Sequence, residues 1–220
     1  MYTDTPGIFS IHIRRSNAIF NKSGIMASKE QTARQERFKA WLNREDIKPL
    51  LLKYADSHGV TAVTKEYRSK EEAEDALTTK LWDTYDRVWA HKILKKFKNE
   101  SLTSTVDGSF ITGGTREFVE VKGRCYDFNG KWAWAIDPEK YRQLIECQGY
   151  LLYLWIPDDG EYMKVHYALW DVYETPPVDV DMECSKSVTN RGRGRKVKKD
   201  KAWYIEDAII SGDIEGEIQG

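Results

Sequence analysis

The sequence predicts an α/β fold, and three patterns along the chain support this prediction. Apolar residues recur at helical spacing across residues 28 to 97, and strand-like segments flank a turn at Gly113 and Gly114. Farther along, a capped helix separates two groups of strands. Because a spacing of three to four residues is typical of a helix and strict alternation is typical of a strand, we expect a sheet flanked by helices.

The composition favours a globular, water-exposed chain. The sequence has 220 residues, of which 40% are hydrophobic and 31% charged. This length fits one domain with appended segments, since domains usually have about 100–200 residues. No run approaches the roughly 18 apolar residues of a membrane-spanning helix, and the N-terminus lacks the apolar run of a secretory signal. We therefore expect a cytoplasmic protein with no membrane contact.

The N-terminal part of the chain divides at residue 28. Residues 1 to 27 have no sustained period and contain several turn-forming residues, so we predict an irregular N-terminal extension. Ser28 and Gln31 have the spacing of a capping box, and apolar residues then follow at helical intervals. Residues 28 to 68 are therefore predicted to form a helical extension, a pair of helices that is broken near Pro49.

A long helix and a hairpin are predicted next. Ser69 and Glu72 again have capping-box spacing, and an apolar face follows that continues to about Asn99. Two strand-like segments then flank Gly113 and Gly114, a glycine pair typical of tight hairpin turns. We predict one helix packed on the core, followed by a β-hairpin.

Three further segments have strand-like patterns: residues 131 to 136, 150 to 156 and 163 to 172. Between the first two, Asp137 and Pro138 form the start of a helix, since an aspartate caps the first turn and proline is tolerated at its first position. Gly149 marks the end of this helix after Gln148. The predicted order is helix, three strands, helix and two strands.

Residues 176 to 220 are predicted to be a basic C-terminal arm with an acidic end. Eight lysines and arginines between residues 186 and 201 make this stretch too polar to pack a core. A solubilising loop is one interpretation and contact with nucleic-acid phosphates is the other. The candidate phosphate contacts in the arm are Arg191, Arg193, Arg195, Lys196, Lys198 and Lys199. Arg124 is a separate candidate, either as a phosphate contact or as a plain surface arginine.

The residues that indicate chemistry lie in and near the hairpin. Glu120 and Lys122 are two apart on a strand, so they share one face, while Val119 and Val121 point to the other face. Asp107 lies near the start of the first hairpin strand, where pairing across the turn brings it close to Glu120. Two converging carboxylates form a hard oxygen site, and Mg²⁺ is commonly held by such a pair together with substrate phosphate oxygens.

This arrangement resembles the PD-(D/E)XK nuclease superfamily, which includes many restriction endonucleases, Holliday-junction resolvases and repair nucleases. The match rests on Asp107 with its following glycine, on the hairpin, and on the motif Glu120-Val121-Lys122. Val106 stands where the family name places a proline, a position without a catalytic role in the family. The resemblance implies a restriction-endonuclease-like core over residues 69 to 175, with a central mixed sheet flanked by helices in the order helix, three strands, helix, strand.

The resemblance also implies a function, a cofactor and roles for three residues. A member of this superfamily would be a Mg²⁺-dependent endonuclease that hydrolyses phosphodiester bonds in DNA, with Mn²⁺ as a substitute metal. Asp107 and Glu120 would be the metal ligands. Lys122 would be the catalytic ammonium that orients the attacking water or stabilises developing negative charge.

Two more residues are candidates for supporting roles by the same resemblance. Many members have an acidic residue on the first core helix near the metal, and of Asp83 and Asp86 in that region we favour Asp86. Members also often place a substrate-facing polar residue on the helix after the third strand. Among Lys140, Tyr141 and Gln143 on that helix we favour Gln143.

Three functions are open from the sequence. The first is the endonuclease, with DNA preferred to RNA only because of the resemblance, and with a homodimer as one arrangement that would cut both strands. The second is a catalytically inactive nucleic-acid-binding protein of the same fold. The third is a protein-interaction module that uses the helices of residues 28 to 54, because a Glu-x-Lys motif also occurs on solvated strand faces.

Overall fold

The computed structural model describes residues 24–60, 67–100, 106–125, 134–157, 159–184 and 196–218. The helices are α1 (Gly24–Leu42), α2 (Lys48–Ser57), α3 (Lys70–Ile93) and α4 (Pro138–Glu146), with a 3₁₀ helix at Ile205–Asp207. The strands are β1 (Lys98–Asn99), β2 (Gly108–Thr112), β3 (Thr115–Arg124), β4 (Trp134–Ile136), β5 (Tyr150–Trp155), β6 (Lys164–Asp171), β7 (Val178–Cys184), β8 (Lys196–Trp203) and β9 (Ile210–Glu215). The predicted α/β class is confirmed.

A mixed six-stranded sheet forms the centre of the fold, in the strand order β1-β2-β3-β5-β6-β9. The predicted hairpin is β2 and β3, which turn through Gly113 and Gly114 at φ of 54° and 86°. Both φ values are positive, which glycine adopts without steric cost. β3 then pairs in parallel with β5, whereas the other neighbouring strands are antiparallel.

The structure contains both of the helix caps that were predicted at Ser69 and Asp137. Ser69 accepts a hydrogen bond from the backbone N–H of Glu72 and begins α3, as predicted from the capping box. Asp137 accepts from the N–H of Lys140 and begins α4. The left-handed residue that follows α4 is Gln148, at φ 49°, rather than the glycine after it. α3 ends at Ile93, so the predicted end near residue 99 is corrected because residues 98 and 99 form β1.

The N-terminal helices belong to the main core rather than to a separate extension. Phe38 of α1 and Leu51 of α2 are fully buried in the cluster that contains Tyr85 of α3. Phe38 and Tyr85 pack edge to face at a centroid distance of 4.9 Å. α1 begins at Gly24, four residues before the predicted start at Ser28, and α2 has Pro49 in its first turn. Residues 1 to 23 lie outside the described part of the chain.

Wherever the structure describes it, the C-terminal segment consists of β7, β8, the 3₁₀ helix and β9 with short connections, and not of an extended arm. β8 pairs antiparallel with the acidic strand β7, and Lys201 Nζ lies 2.6 Å from Asp179 Oδ1. Opposite charges across neighbouring strands explain why so basic a segment joins a sheet. β4 joins β8 in this second sheet, so it is not the third strand of the central sheet, and β9 instead completes the edge beside β6.

Different helices pack on the two faces of the central sheet. Val119 and Val121 pack in the cluster formed with α1, α2 and α3. The cluster on the opposite face contains Leu144 of α4 and Leu151 of β5. Since Glu120 is in register with Leu151, the Glu120 side chain points towards the α4 face. Within the described residues, no helix is long and apolar enough to span a membrane.

Candidate active site

The candidate site lies where β3 continues past its pairing with β2. The described pairing of these two strands ends at Val119. Beyond it, the N–H of Val121 donates to Asp107 Oδ2 at 2.8 Å, and the N–H of Gly123 donates to Asp86 Oδ2 at 3.0 Å. Two carboxylates thus accept from the backbone donors at this edge of β3, and the backbone fixes both carboxylates beside the strand.

Glu120 forms the buried end of the site. Its side chain is 1% exposed, and its Oε1 lies 2.6 Å from Lys122 Nζ. Its Oε2 lies 3.1 Å from Lys140 Nζ, an ion-pair distance, but no described hydrogen bond of good geometry reaches that oxygen. Glu120 is therefore a carboxylate held between two ammonium groups with one oxygen incompletely satisfied.

Burial changes the pKa values of Glu120 and Lys122. Desolvation raises the pKa of Glu120 above its usual range, and the negative charge of Asp107 raises it further, against the lowering effect of Lys122 and Lys140. Desolvation has the largest single effect on Lys122 and lowers its pKa. Attraction to Glu120 and Asp107 outweighs that loss, so the pKa of Lys122 ends above its ordinary value. Lys122 is accordingly a cation at neutral pH.

Asp107 lies beside the part of β3 that contains Glu120. It immediately precedes β2, whose first residue, Gly108, pairs with Val119, and its Oδ2 accepts from the N–H of Val121. Asp107 Oδ1 accepts from Arg87 Nη2 at 2.7 Å, and the side chain remains 24% exposed. Its oxygens thus face a cation on one side and the strand backbone on the other.

Asp86 is the second buried carboxyl of the site. It is 5% exposed, and its Oδ1 has no hydrogen-bond partner among the described residues. Burial, aided by the nearby charge of Asp83, raises its pKa to about 7. Asp83 itself reaches solvent but is surrounded by protein on several sides, and this partial desolvation together with Asp107 raises its pKa as well.

A cavity of about 390 Å³ opens onto these groups. We call inner wall the lining residues on β3, just before β2 and in the adjacent turn of α3: Asp86, Arg87, Asp107, Val121, Lys122 and Arg124. We call outer wall the lining residues on α1 and in the preceding turns of α3: Gln35, Thr79, Trp82 and Asp83. Glu120 is not a lining residue; it is buried and pairs with Lys122, which is one. Of the three predicted catalytic residues, the cavity therefore exposes Asp107 and Lys122, whereas Glu120 stays in the interior.

The structure brings most of the predicted site residues together. The residue of α4 that contacts the site is Lys140 and not the predicted Gln143. Asp107, Glu120, Lys122 and Asp86 meet at one strand edge, and Arg124 lines the same cavity. From α4, it is Lys140 that contacts Glu120, whereas the described hydrogen bond of Gln143 is to Glu139 at 3.5 Å.

Other predicted contacts fall outside what the structure describes. Arg191, Arg193 and Arg195 lie outside the described residues, and for Lys196, Lys198 and Lys199 only the backbone, in β8, is described. Sequence reasoning missed Arg87, although its four-residue spacing from Asp83 indicates a shared helix face.

Asp107 and Glu120 are the two carboxylates of the site that bear on the predicted magnesium ion, and both are held in ion pairs. In the part of the chain that the structure describes, no group of three or more His, Cys, Asp or Glu side chains is arranged to hold a metal. Two carboxylates are available, Asp107 on the wall and Glu120 with an incompletely satisfied oxygen. Mg²⁺ commonly uses one or two carboxylates, with waters and phosphate oxygens as its remaining ligands.

Comparison with models of protein families, with curated proteins and with solved structures found no match. The fold and the site therefore define the chain as an α/β protein with a mixed six-stranded sheet and a cavity of carboxylates, arginines and a lysine at the edge of β3.

Proposed function

We propose that this chain is a Mg²⁺-dependent nuclease, and specifically an endonuclease that hydrolyses phosphodiester bonds in DNA. The observation that supports this most is the contact between Glu120 and Lys122 beside Asp107, at a strand edge that opens into a cavity. In phosphodiester hydrolysis, a metal ion and an ammonium group can together stabilise the developing negative charge. The buried Glu120, with Lys122 and Asp107 beside it, suits this chemistry.

Each residue has a chemical task in this proposal. Asp107 and Glu120 would hold Mg²⁺, which supplies a Lewis acid for the scissile phosphate and a bound water of lowered pKa. Lys122 is protonated at neutral pH, so it acts as a fixed positive charge and hydrogen-bond donor rather than as a base. Arg87 and Arg124 on the same wall are positioned to attract the phosphate groups of a substrate.

The order of elements around the site also supports the proposal of a restriction-endonuclease-like core. The resemblance implies helix, three strands, helix, strand; in the chain, α3, β1, β2 and β3 come first, and α4 and β5 follow after the short strand β4. The strand count is met by β1 rather than by β4, which lies in the second sheet. Mn²⁺ is expected to replace Mg²⁺, because both ions accept carboxylate and phosphate oxygens.

A catalytically inactive nucleic-acid-binding protein is the second candidate, and a specific observation favours it. Lys122 and Lys140 already neutralise Glu120, and Arg87 already pairs with Asp107. A metal would have to compete with these ion pairs. A protein-interaction module based on α1 and α2 has less support, since Phe38 and Leu51 are fully buried in the core instead of facing a partner.

A cleavage assay with a panel of substrates tests the proposed function. The full chain is incubated with labelled linear, supercoiled and branched DNA in Mg²⁺, in Mn²⁺ and in EDTA. We expect cutting of at least one substrate with either metal and none in EDTA. Lys122→Ala should abolish this cutting, whereas Lys70→Ala, which removes an 86% exposed lysine at the start of α3, should retain it. DNA binding without cutting by the wild type would favour the inactive binding protein.

A further inference from the structure

The outer wall of the cavity is built differently from its inner wall. It carries the aromatic ring of Trp82, the amide of Gln35, the hydroxyl of Thr79 and the carboxyl of Asp83, contributed by α1 and α3. The Trp82 ring is packed edge to face against Phe38 at a centroid distance of 4.9 Å, which fixes its orientation. The inner wall thus carries arginines, a lysine and carboxyls, and the outer wall carries an aromatic ring, an amide and one carboxyl.

We propose that this cavity receives one unpaired nucleotide of the substrate, with its base at the outer wall and its phosphate at the inner wall. The inference rests on the proposed nuclease function and specifies its substrate class. That class is nucleic acid with an unpaired nucleotide at the cleavage position, such as a single strand, a frayed end or a branch, in preference to an uninterrupted duplex.

The chemistry of the two walls matches the two halves of a nucleotide. A nucleobase is a planar ring system that stacks on aromatic side chains whatever its sequence, and Trp82 supplies such a surface. The amide of Gln35 supplies both donors and an acceptor for the polar edge of a base. Lys122 and Arg124, on the inner wall of the same cavity, are cations suited to its phosphate.

The size of the cavity explains why the nucleotide has to be unpaired. A volume of about 390 Å³ lies near the lower end of the range for small-molecule sites, roughly 300–1,000 Å³. A base inside a duplex is stacked on both faces and paired at its edge, so it cannot reach a side pocket unless it leaves the helix. The unstacking cost is smallest for a nucleotide that is already single-stranded.

A binding experiment without metal tests this inference separately from catalysis. Fluorescence anisotropy in EDTA gives the affinity of the full chain for a labelled single strand and for the duplex of the same sequence. We expect Gln35→Ala and Trp82→Leu each to weaken single-strand binding by about tenfold, the loss typical of one base contact or one stacking contact. Trp82→Phe keeps an aromatic face and should retain much of the affinity. Glu36→Ala, a 62% exposed neighbour on α1, should leave it unchanged.

The outcomes separate the inference from the proposed function. Unchanged single-strand affinity in Gln35→Ala and Trp82→Leu, with wild-type circular dichroism and melting, would overturn the inference. Equal weakening for duplex and single strand would overturn it as well. In a parallel assay with Mg²⁺, we expect the wild type to cut the single strand at least about tenfold faster than the duplex, the ratio that one lost base contact would give. Absence of all cutting, with selective single-strand binding intact, would refute the nuclease and leave the nucleotide pocket supported.

Discussion

Gly123 and Asp86 fit against each other with no room for a side chain between them. The Gly123 N–H donates to Asp86 Oδ2 at 3.0 Å, and a Cβ on Gly123 would lie 2.1 Å from Asp86 Oδ1. The hydrogen bond joins α3 to the edge of β3, and the missing side chain at Gly123 leaves room for it. The glycine is therefore required by the buried carboxyl and not by a turn.

Gly123→Ala should destabilise the protein and disturb the cavity. The new methyl group would displace Asp86 from its hydrogen bond, and overpacking of this kind usually costs about 1–3 kcal/mol. Chemical denaturation of both proteins measures the loss. The matched control is Gly212→Ala, where the added Cβ would be 3.6 Å from its nearest neighbour, an ordinary contact.

The cause of that loss can be isolated with a double mutant. In Asp86→Ala the carboxylate that would collide is absent, so adding Gly123→Ala to it should cost less than adding it to the wild type. Equal costs in the two backgrounds would show that the glycine is needed for another reason.

Asp86→Asn should change how stability depends on pH. The pKa of Asp86 is raised from 3.8 to about 7 in the folded protein, a difference on the order of 4 kcal/mol at full effect. A raised carboxyl pKa contributes stability that is fully present below about pH 4 and is lost as the pH rises to about 7. Asp86→Asn has no ionisable group at this position, so it does not lose this stability as the pH rises.

Unfolding free energies at several pH values between 4 and 8 test the prediction. Relative to the wild type, Asp86→Asn should become steadily more stable across this window. A constant difference between the two proteins at all pH values would mean that Asp86 does not titrate there.

Lys140→Met should shift the pH dependence of cleavage. Lys140 lowers the pKa of Glu120, so its removal raises that pKa further and moves the acidic limb of the rate profile to higher pH. Arg142→Ala is the control, because it removes a cation of the same helix whose side chain is 66% exposed. An unshifted profile for Lys140→Met would exclude Lys140 as a positioning residue for Glu120.

Ser69→Ala should weaken α3, the helix that holds Asp83, Asp86 and Arg87. Loss of the side-chain cap on the N–H of Glu72 usually costs about 0.5–2 kcal/mol. Ser69→Asp preserves an acceptor at the cap and should retain most of the stability. Thermal melting of the three proteins measures both effects, and equal losses in the two variants would exclude the cap as the cause.

Features set by nearby residues could be predicted from the sequence. The caps at Ser69 and Asp137 depend on residues three positions away, and the turn at Gly113 and Gly114 depends on φ values that glycine permits. The shared face of Glu120 and Lys122 follows from the two-residue period of a strand. Local patterns and the resemblance therefore indicated Asp107, Glu120 and Lys122 as candidates, and their roles stay predictions.

Features set by pairing between distant segments could not be predicted. The basic segment that contains Lys201 joins a sheet because acidic residues near Asp179 face it, and no local pattern records this partner. The choice of Lys140 over Gln143 depends on how α4 is rotated against β3, and a difference of three residues on a helix leaves that rotation open. Long-range packing decides both.

Single-turnover cleavage of a labelled DNA by Glu120→Gln tests the central claim most directly. The substitution keeps the size of the side chain and removes the charge that pairs with Lys122 and that the proposed metal would require. With Mg²⁺ we expect a rate at least about 100-fold below that of the wild type, the loss typical of removing one electrostatic group from an active site. Cleavage by Glu120→Gln at the wild-type rate, in a protein that retains the wild-type melting temperature, would contradict the assignment of this site.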